Sequence, residues 1–320
     1  MRAVFHSVWL AAAVSCAALF SAAAHEGPEA EIAELTERLQ VNGETAGLLA
    51  ERAIEYRVLG KLPEATKDLE RATVLDPKSI GLCRELARVQ FLGGKGGDAI
   101  ATVTRGLTLK ADEPADLAAL RMLRAEILRS QNDDKKALED CDAALRLHRQ
   151  NPEWYLLRSD LQRRLKMPKE RVTGLEEGIK ATGAGVLEIE RIEALLDAAQ
   201  FAAALPVIET ELADSRIKSS WLIRRARVRL GLGKKAEADD DLKAALKEIG
   251  TRLNPKAPDV PLLLDKALAL DLLGEKKGAL RAYEEARDKG ATESVNEKIK
   301  AIQDSGTTSP PPAPVSNPDK

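Results

Sequence analysis

YRVLGKLPEATKDLERATVLDP (56–77) decides the reading of this 320-residue chain. It carries two helical patterns separated by a single break. Gly60, a residue tolerant of positive φ, ends the first, and Asp76–Pro77 stops the second. Between them Ala65, Leu69 and Ala72 fall four and three apart, on one face of a helix. The same grammar returns in RVRLGLGKKAEADDDLKAAL (227–246) and ALDLLGEKKGALRAYEEA (269–286).

Aligning the chain on these breaks gives a recurrent second-helix position at Ala65, Ala99, Ala137, Arg171, Ala204, Ala238 and Ala279, at steps of 34, 38, 34, 33, 34 and 41. The two long steps hold insertions around ADEP, before Ala115, and TRLNPKAP, before Asp259, where a longer loop costs little. Each first helix carries a small residue near its middle, at Ala53, Ala87, Ala125, Ser159, Ala226 and Ala267; Ile192 departs from this in the fifth unit. The intervening break falls at Gly60, Gly94, Asn132, Lys166, Ala199, Gly233 and Gly274. Four residues after the second-helix small position stands Leu69, Val103, Cys141, Leu175, Ile208, Leu242 or Tyr283. Small residues on facing helices allow a close antiparallel approach. In unit four, Trp154 and Leu157 favour one register and Ser159 the other.

The composition agrees with a helical chain: 44% hydrophobic, 31% charged, 3% aromatic, rich in the strong helix formers and poor in residues that favour strands. A period of 34 with two helices, a small–Gly spacing in the first and Ala spacing in the second, resembles the tetratricopeptide repeat. The resemblance covers about residues 46–293 in seven units; Gly106 replaces the last Ala of unit two, and units four and five are degenerate. It implies an all-α, right-handed superhelical solenoid. ELTERLQVN, within 25–45, aligns as an N-terminal capping helix. Ser294 and Glu297 open a second cap over 294–304, with Val295, Ile299 and Ile302 on one face. The Pro- and Ser-rich 305–320 is expected to be disordered.

Residues 1–24 read as a signal peptide: Arg2, then VFHSVWLAAAVSCAALF, then a small-residue ending that suits cleavage after Ala24. Export to the periplasm or outside the cell follows as an expectation, with no integral membrane segment after cleavage. AVSC also has a loose likeness to a lipoprotein box at Cys16, although it lacks the usual Leu and the apolar run continues beyond it. Cys83 and Cys141 would then meet an oxidising compartment, but both occupy apolar helix positions and read as core residues.

Few motifs point to chemistry. FLGGKGGDA (91–99) has no preceding strand and no Gly-Lys-Ser/Thr, and it falls where every unit places its turn. The histidines are His6, His25 and His148, from which no nucleophile–base pair or metal cluster can be assembled. His25 as a new N-terminus has the donors for copper, or is simply solvated. No catalytic, cofactor or metal site is expected. A formal net charge of −2 with few aromatics argues against nucleic acid.

In the resembled family the first helices line a concave groove that holds peptides or partner helices. Register places Arg57, Arg84, Arg88, Arg129, Arg163 and Arg227 there, with Phe91, Met122 and Leu156. Glu126, Asp160, Glu193 and Asp271 share the surface. Two readings stand: the arginines receive an acidic protein or peptide, or they pair with these acids. Members that bind chaperone tails combine Lys or Arg with Asn in the groove; units one to three have no such Asn, so that activity is not carried over. The expectation is a non-enzymatic binding scaffold. The alternative is an envelope assembly factor, lipid-tethered at Cys16, that uses its convex face.

Overall fold

The computed structural model describes residues 27–254, 256–257, 259–291 and 294–306. The segment read as a signal peptide, with His6 and Cys16, as well as His25 and the stretch from 307, lie outside them. The described elements are sixteen α-helices, α1 Pro28–Asn42, α2 Ala46–Val58, α3 Leu62–Leu75, α4 Ile80–Leu92, α5 Gly96–Gly106, α6 Pro114–Ser130, α7 Asp134–Leu147 and α8 Pro152–Arg164 in the first half. The second half has α9 Pro168–Thr182, α10 Gly185–Asp197, α11 Phe201–Asp214, α12 Ser219–Gly231, α13 Lys235–Arg252, α14 Val260–Leu273, α15 Lys276–Asp288 and α16 Ser294–Gly306. Helices α2 to α15 are the first and second helices of seven repeats; α1 and α16 flank them. The C-terminal helix runs to Gly306, two residues into the stretch read as tail. The chain divides into two compact units, residues 1–127 and 128–320, so the division falls inside α6.

The turn inside each repeat has one conformation. Gly60, Gly94, Asn132, Lys166, Ala199, Gly233 and Gly274 all have φ between 54° and 82°. In the first, Gly60 N–H donates to the Arg57 carbonyl at 3.0 Å and Lys61 N–H to that of Tyr56 at 2.8 Å. Lys166 and Met167 repeat the pattern with Arg163 and Gln162, as do Ala199 and Gln200 with Leu196 and Leu195. This pair of bonds satisfies carbonyls that the helix end leaves open, and it requires a left-handed residue. The degenerate repeats keep the turn despite lacking glycine. Several first helices start on a side-chain cap, where Thr45, Ser79, Asn151 and Asp259 accept from N–H groups two or three residues on.

The cores follow the register. Ala53 packs in one cluster with Ala65, Leu69 and Ala72, under Leu35 and Leu39 of α1. Ala87, Ala99 and Val103 share a second with Leu120 and Leu123. In the other compact unit Ala226 joins Ala238, Leu242 and Ala245, and Ala267 joins Ala279, Tyr283, Val295, Ile299 and Ile302. Unit four takes the register of Ser159, which is buried together with Leu161, whereas Trp154 and Leu157 are half-exposed. Cys83 and Cys141 are free, buried thiols.

Glycine replaces alanine where a neighbour is large. A Cβ on Gly178 would lie 2.7 Å from Cγ of Tyr155, and one on Gly106 would lie 3.0 Å from Cβ of Cys83. No described helix is long and apolar enough to cross a membrane.

Candidate functional site

Several first helices present charged side chains to the first helix of the next repeat. Carboxylates and arginines placed there meet across the repeat boundary. Arg129 of α6 reaches Asp160 of α8 at 3.2 Å, and Arg163 reaches the same carboxylate at 2.5 Å from within α8. Glu193 of α10 accepts from Arg224 at 2.7 Å and Arg227 at 2.6 Å, both on α12. Burial works to raise the Glu193 pKa, but Arg227 and Arg224 outweigh it and leave the group below the ordinary range.

The α2–α4 pair differs. Arg57 of α2 and Arg84 of α4 both stand 3.7 Å from the single carboxylate of Glu85, too far for a hydrogen bond. Arg57 Nε and one Glu85 oxygen are buried with no hydrogen-bond partner. Arg88, one turn along α4, makes no hydrogen bond or ion pair with described residues and is half-exposed beside Phe91. Two cations therefore share one carboxylate while Arg88 stands unpaired among described residues on the same helix, and positive charge is left over.

The nine residues expected to line a groove thus separate into three groups. Arg129 and Arg227 are tied to acids of adjacent first helices, and Arg163 to Asp160 of its own helix. Arg57 and Arg84 share Glu85, with Arg88 and Phe91 further along α4. Met122 is 3% exposed and offers no surface, because its position on α6, three before Ala125, turns into the core. Leu156 is half-buried, packed against the core of its own compact unit.

No protein-family model matches the chain. Among known proteins, U-box domain-containing protein 70 of Oryza sativa subsp. japonica is 26% identical over 257 residues, covering 79% of this chain and only 30% of that relative. A tetratricopeptide repeat protein from Parabacteroides merdae superposes with a TM-score of 0.58 at 17% identity, over 81% of this chain and 98% of that one. The fold is that of the tetratricopeptide repeat. The structure of Naa15/Naa10 bound to HypK-THB is similar at a TM-score of 0.50 and 16% identity, over 81% of this chain and 39% of that one.

Within this tetratricopeptide fold a second set of charged residues escaped the sequence reading. Arginine recurs one residue before the central small position, and Asp recurs three after the second-helix small position. Arg52 binds Asp68 through two bonds of 2.7 and 2.8 Å, and Arg225 binds Asp241 through bonds of 3.0 and 2.6 Å. Both are forked pairs inside one repeat, with the aspartates buried. The spacing of 16 residues was a readable signal, but only once the two helices are known to be antiparallel. Among described residues no group of three or more His, Cys, Asp or Glu side chains is placed to hold a metal ion.

Proposed function

We propose that this protein is a non-enzymatic scaffold, exported to the cell envelope, that binds another protein or a peptide along the face formed by its first helices. The observation that carries the reading is on α2 and α4, where Arg57 and Arg84 share the carboxylate of Glu85 and Arg88, one turn along α4, is unpaired among described residues. Elsewhere along the first helices arginines are satisfied by Asp160 and Glu193. An acidic side chain arriving at Arg84 and Arg88 completes hydrogen bonds that the free protein leaves unmade, and Phe91 supplies apolar contact beside them. The fold supports the reading, since the Naa15/Naa10 neighbour was itself solved bound to a further component, HypK-THB.

The test is capture from the native envelope with the mature protein beside an R84E/R88E variant shown by circular dichroism to be folded. One protein retained by the parent and lost by the variant supports the site and names the partner. Equal retention by both rejects it. Export is checked separately by sequencing the N-terminus of the purified protein, which is expected to be His25.

A further inference from the structure

The degenerate fourth repeat has lost the intra-repeat staple. Where Asp68 and Asp241 stand in other repeats, α9 has Gly174, and the matching arginine, Arg158 of α8, donates instead to the Gly174 carbonyl at 2.7 Å. Its guanidinium is nine-tenths buried, lies over the Tyr155 ring at 5.2 Å, and reaches Glu177 at 3.0 Å and Asp142 at 3.6 Å. Gly178, one turn further, lets that ring settle against the α9 backbone. A cleft of about 640 Å³ opens between α7 and α9, floored by α8.

Three features of the cleft point to a ligand. Its rim carries Arg146 and Arg149 on the α7 side and Lys180 on α9, and none of them has an ion pair or hydrogen bond with described residues. The two carboxylates present, Asp142 and Glu177, already belong to Arg158, so the rim charge is uncompensated. Tyr155, 3% exposed, lines the floor with a hydroxyl that has no hydrogen-bond partner. Burial raises its phenol pKa, with Arg158 and Arg149 pulling it back and Glu177 adding to the rise, so the hydroxyl stays a donor. A donor in the same cleft as these cations suits an incoming anion.

We propose that this cleft is a binding site for an acidic peptide segment, whose carboxylates it takes on Arg146, Arg149, Lys180 and the Tyr155 hydroxyl. The cations are spread over two helices around an apolar floor of Leu145, Ala181 and the tyrosine ring. That arrangement matches several separate single charges on an extended chain better than one dense phosphate. Volume agrees with the range of ligand clefts. The site lies in the other compact unit from Arg84 and Arg88 and stands or falls independently of them.

The test is fluorescence anisotropy of a labelled hexaglutamate peptide titrated with the full-length protein, competed by inorganic phosphate. The expected result is binding that weakens about tenfold or more in R149E/K180E, both exposed residues whose change spares the core, and that weakens with added salt. Tyr155→Phe keeps the ring and removes the hydroxyl; it is expected to weaken binding about threefold or more. K78E/K110E, an equal charge change at exposed lysines outside the cleft, is expected to bind as the parent does. Unchanged affinity in R149E/K180E overturns the proposal, as does an equal loss in K78E/K110E. Phosphate displacing the peptide at equal molar concentration also overturns it, since the cleft would then read phosphate.

Discussion

Arg171 Nε donates to Ser159 Oγ at 2.9 Å, deep in the fourth repeat. These two residues occupy the facing positions held by Ala53 and Ala65 in the first repeat, and by Ala226 and Ala238 in the sixth. The contact that elsewhere is two methyl groups is here a hydrogen bond. Arg171 continues to Glu190 and Asp197 of α10, each at 2.5 Å, while Ser159 donates to Glu190 at 2.9 Å. A position that usually closes one repeat has become a link to the next. Ser159→Ala is expected to cost about 1–2 kcal/mol, and Arg171→Ala about 3–5 kcal/mol, because it leaves Glu190 without its buried cation. The double change costs less than the sum, by about 1 kcal/mol, and denaturant unfolding of the four proteins measures that coupling.

Lys166 and Ala199 hold the left-handed turn with φ of 57° and 54°, where a side chain meets the following carbonyl. Lys166→Gly and Ala199→Gly are each expected to raise stability by about 0.5–1 kcal/mol, despite the added freedom of the unfolded chain. Asn132→Gly gains less, since asparagine tolerates this region. Gly233→Ala, in the same turn, loses about 1 kcal/mol. Differential scanning calorimetry reads all four; a falling Tm in both glycine variants contradicts the strain.

Gly178→Ala restores the residue that the repeat usually carries, and helix propensity alone predicts a gain of about 1 kcal/mol. The structure predicts the opposite. Its Cβ meets Tyr155 Cγ at 2.7 Å and Leu187 Cδ1 at 2.9 Å, and a buried ring cannot retreat. A loss of about 1–3 kcal/mol is expected on urea unfolding.

Two carboxyls on the first helices of the fifth and seventh repeats, α10 and α14, are expected to show opposite pH signatures. Glu193 lies below its ordinary pKa, so its stabilisation is present above the unfolded value and disappears as pH falls through the folded one. Glu193→Gln therefore lowers Tm at pH about 7, and the deficit fades under acid. Asp265 is raised by burial, with Arg224 and Arg252 offsetting this in part. Its ionised form opposes folding above the folded pKa, and that cost vanishes below the unfolded value. Asp265→Asn is thus expected to raise Tm near neutrality and to match the parent at pH about 3. Thermal melts across pH decide; parallel curves for parent and variant reject either assignment.

The sequence by itself determined the helices, the seven turns and the facing small residues, from Ala53 and Ala65 to Ala267 and Ala279. Those features depend on contacts within about 34 residues, so their periodicity is written along the chain. It also put Arg57, Arg84, Arg88, Arg129, Arg163 and Arg227 on first helices, where the structure has them. Which of these arginines are satisfied was decided only by tertiary structure. Arg129 and Asp160 are 31 residues apart, and whether the two meet depends on how one first helix lies against the next. The cleft at Tyr155 and Arg158 was hidden for a related reason. Its floor depends on Gly174 and Gly178, whose missing side chains admit the Arg158 guanidinium and the Tyr155 ring, an exchange that exists only once α8 and α9 are packed together.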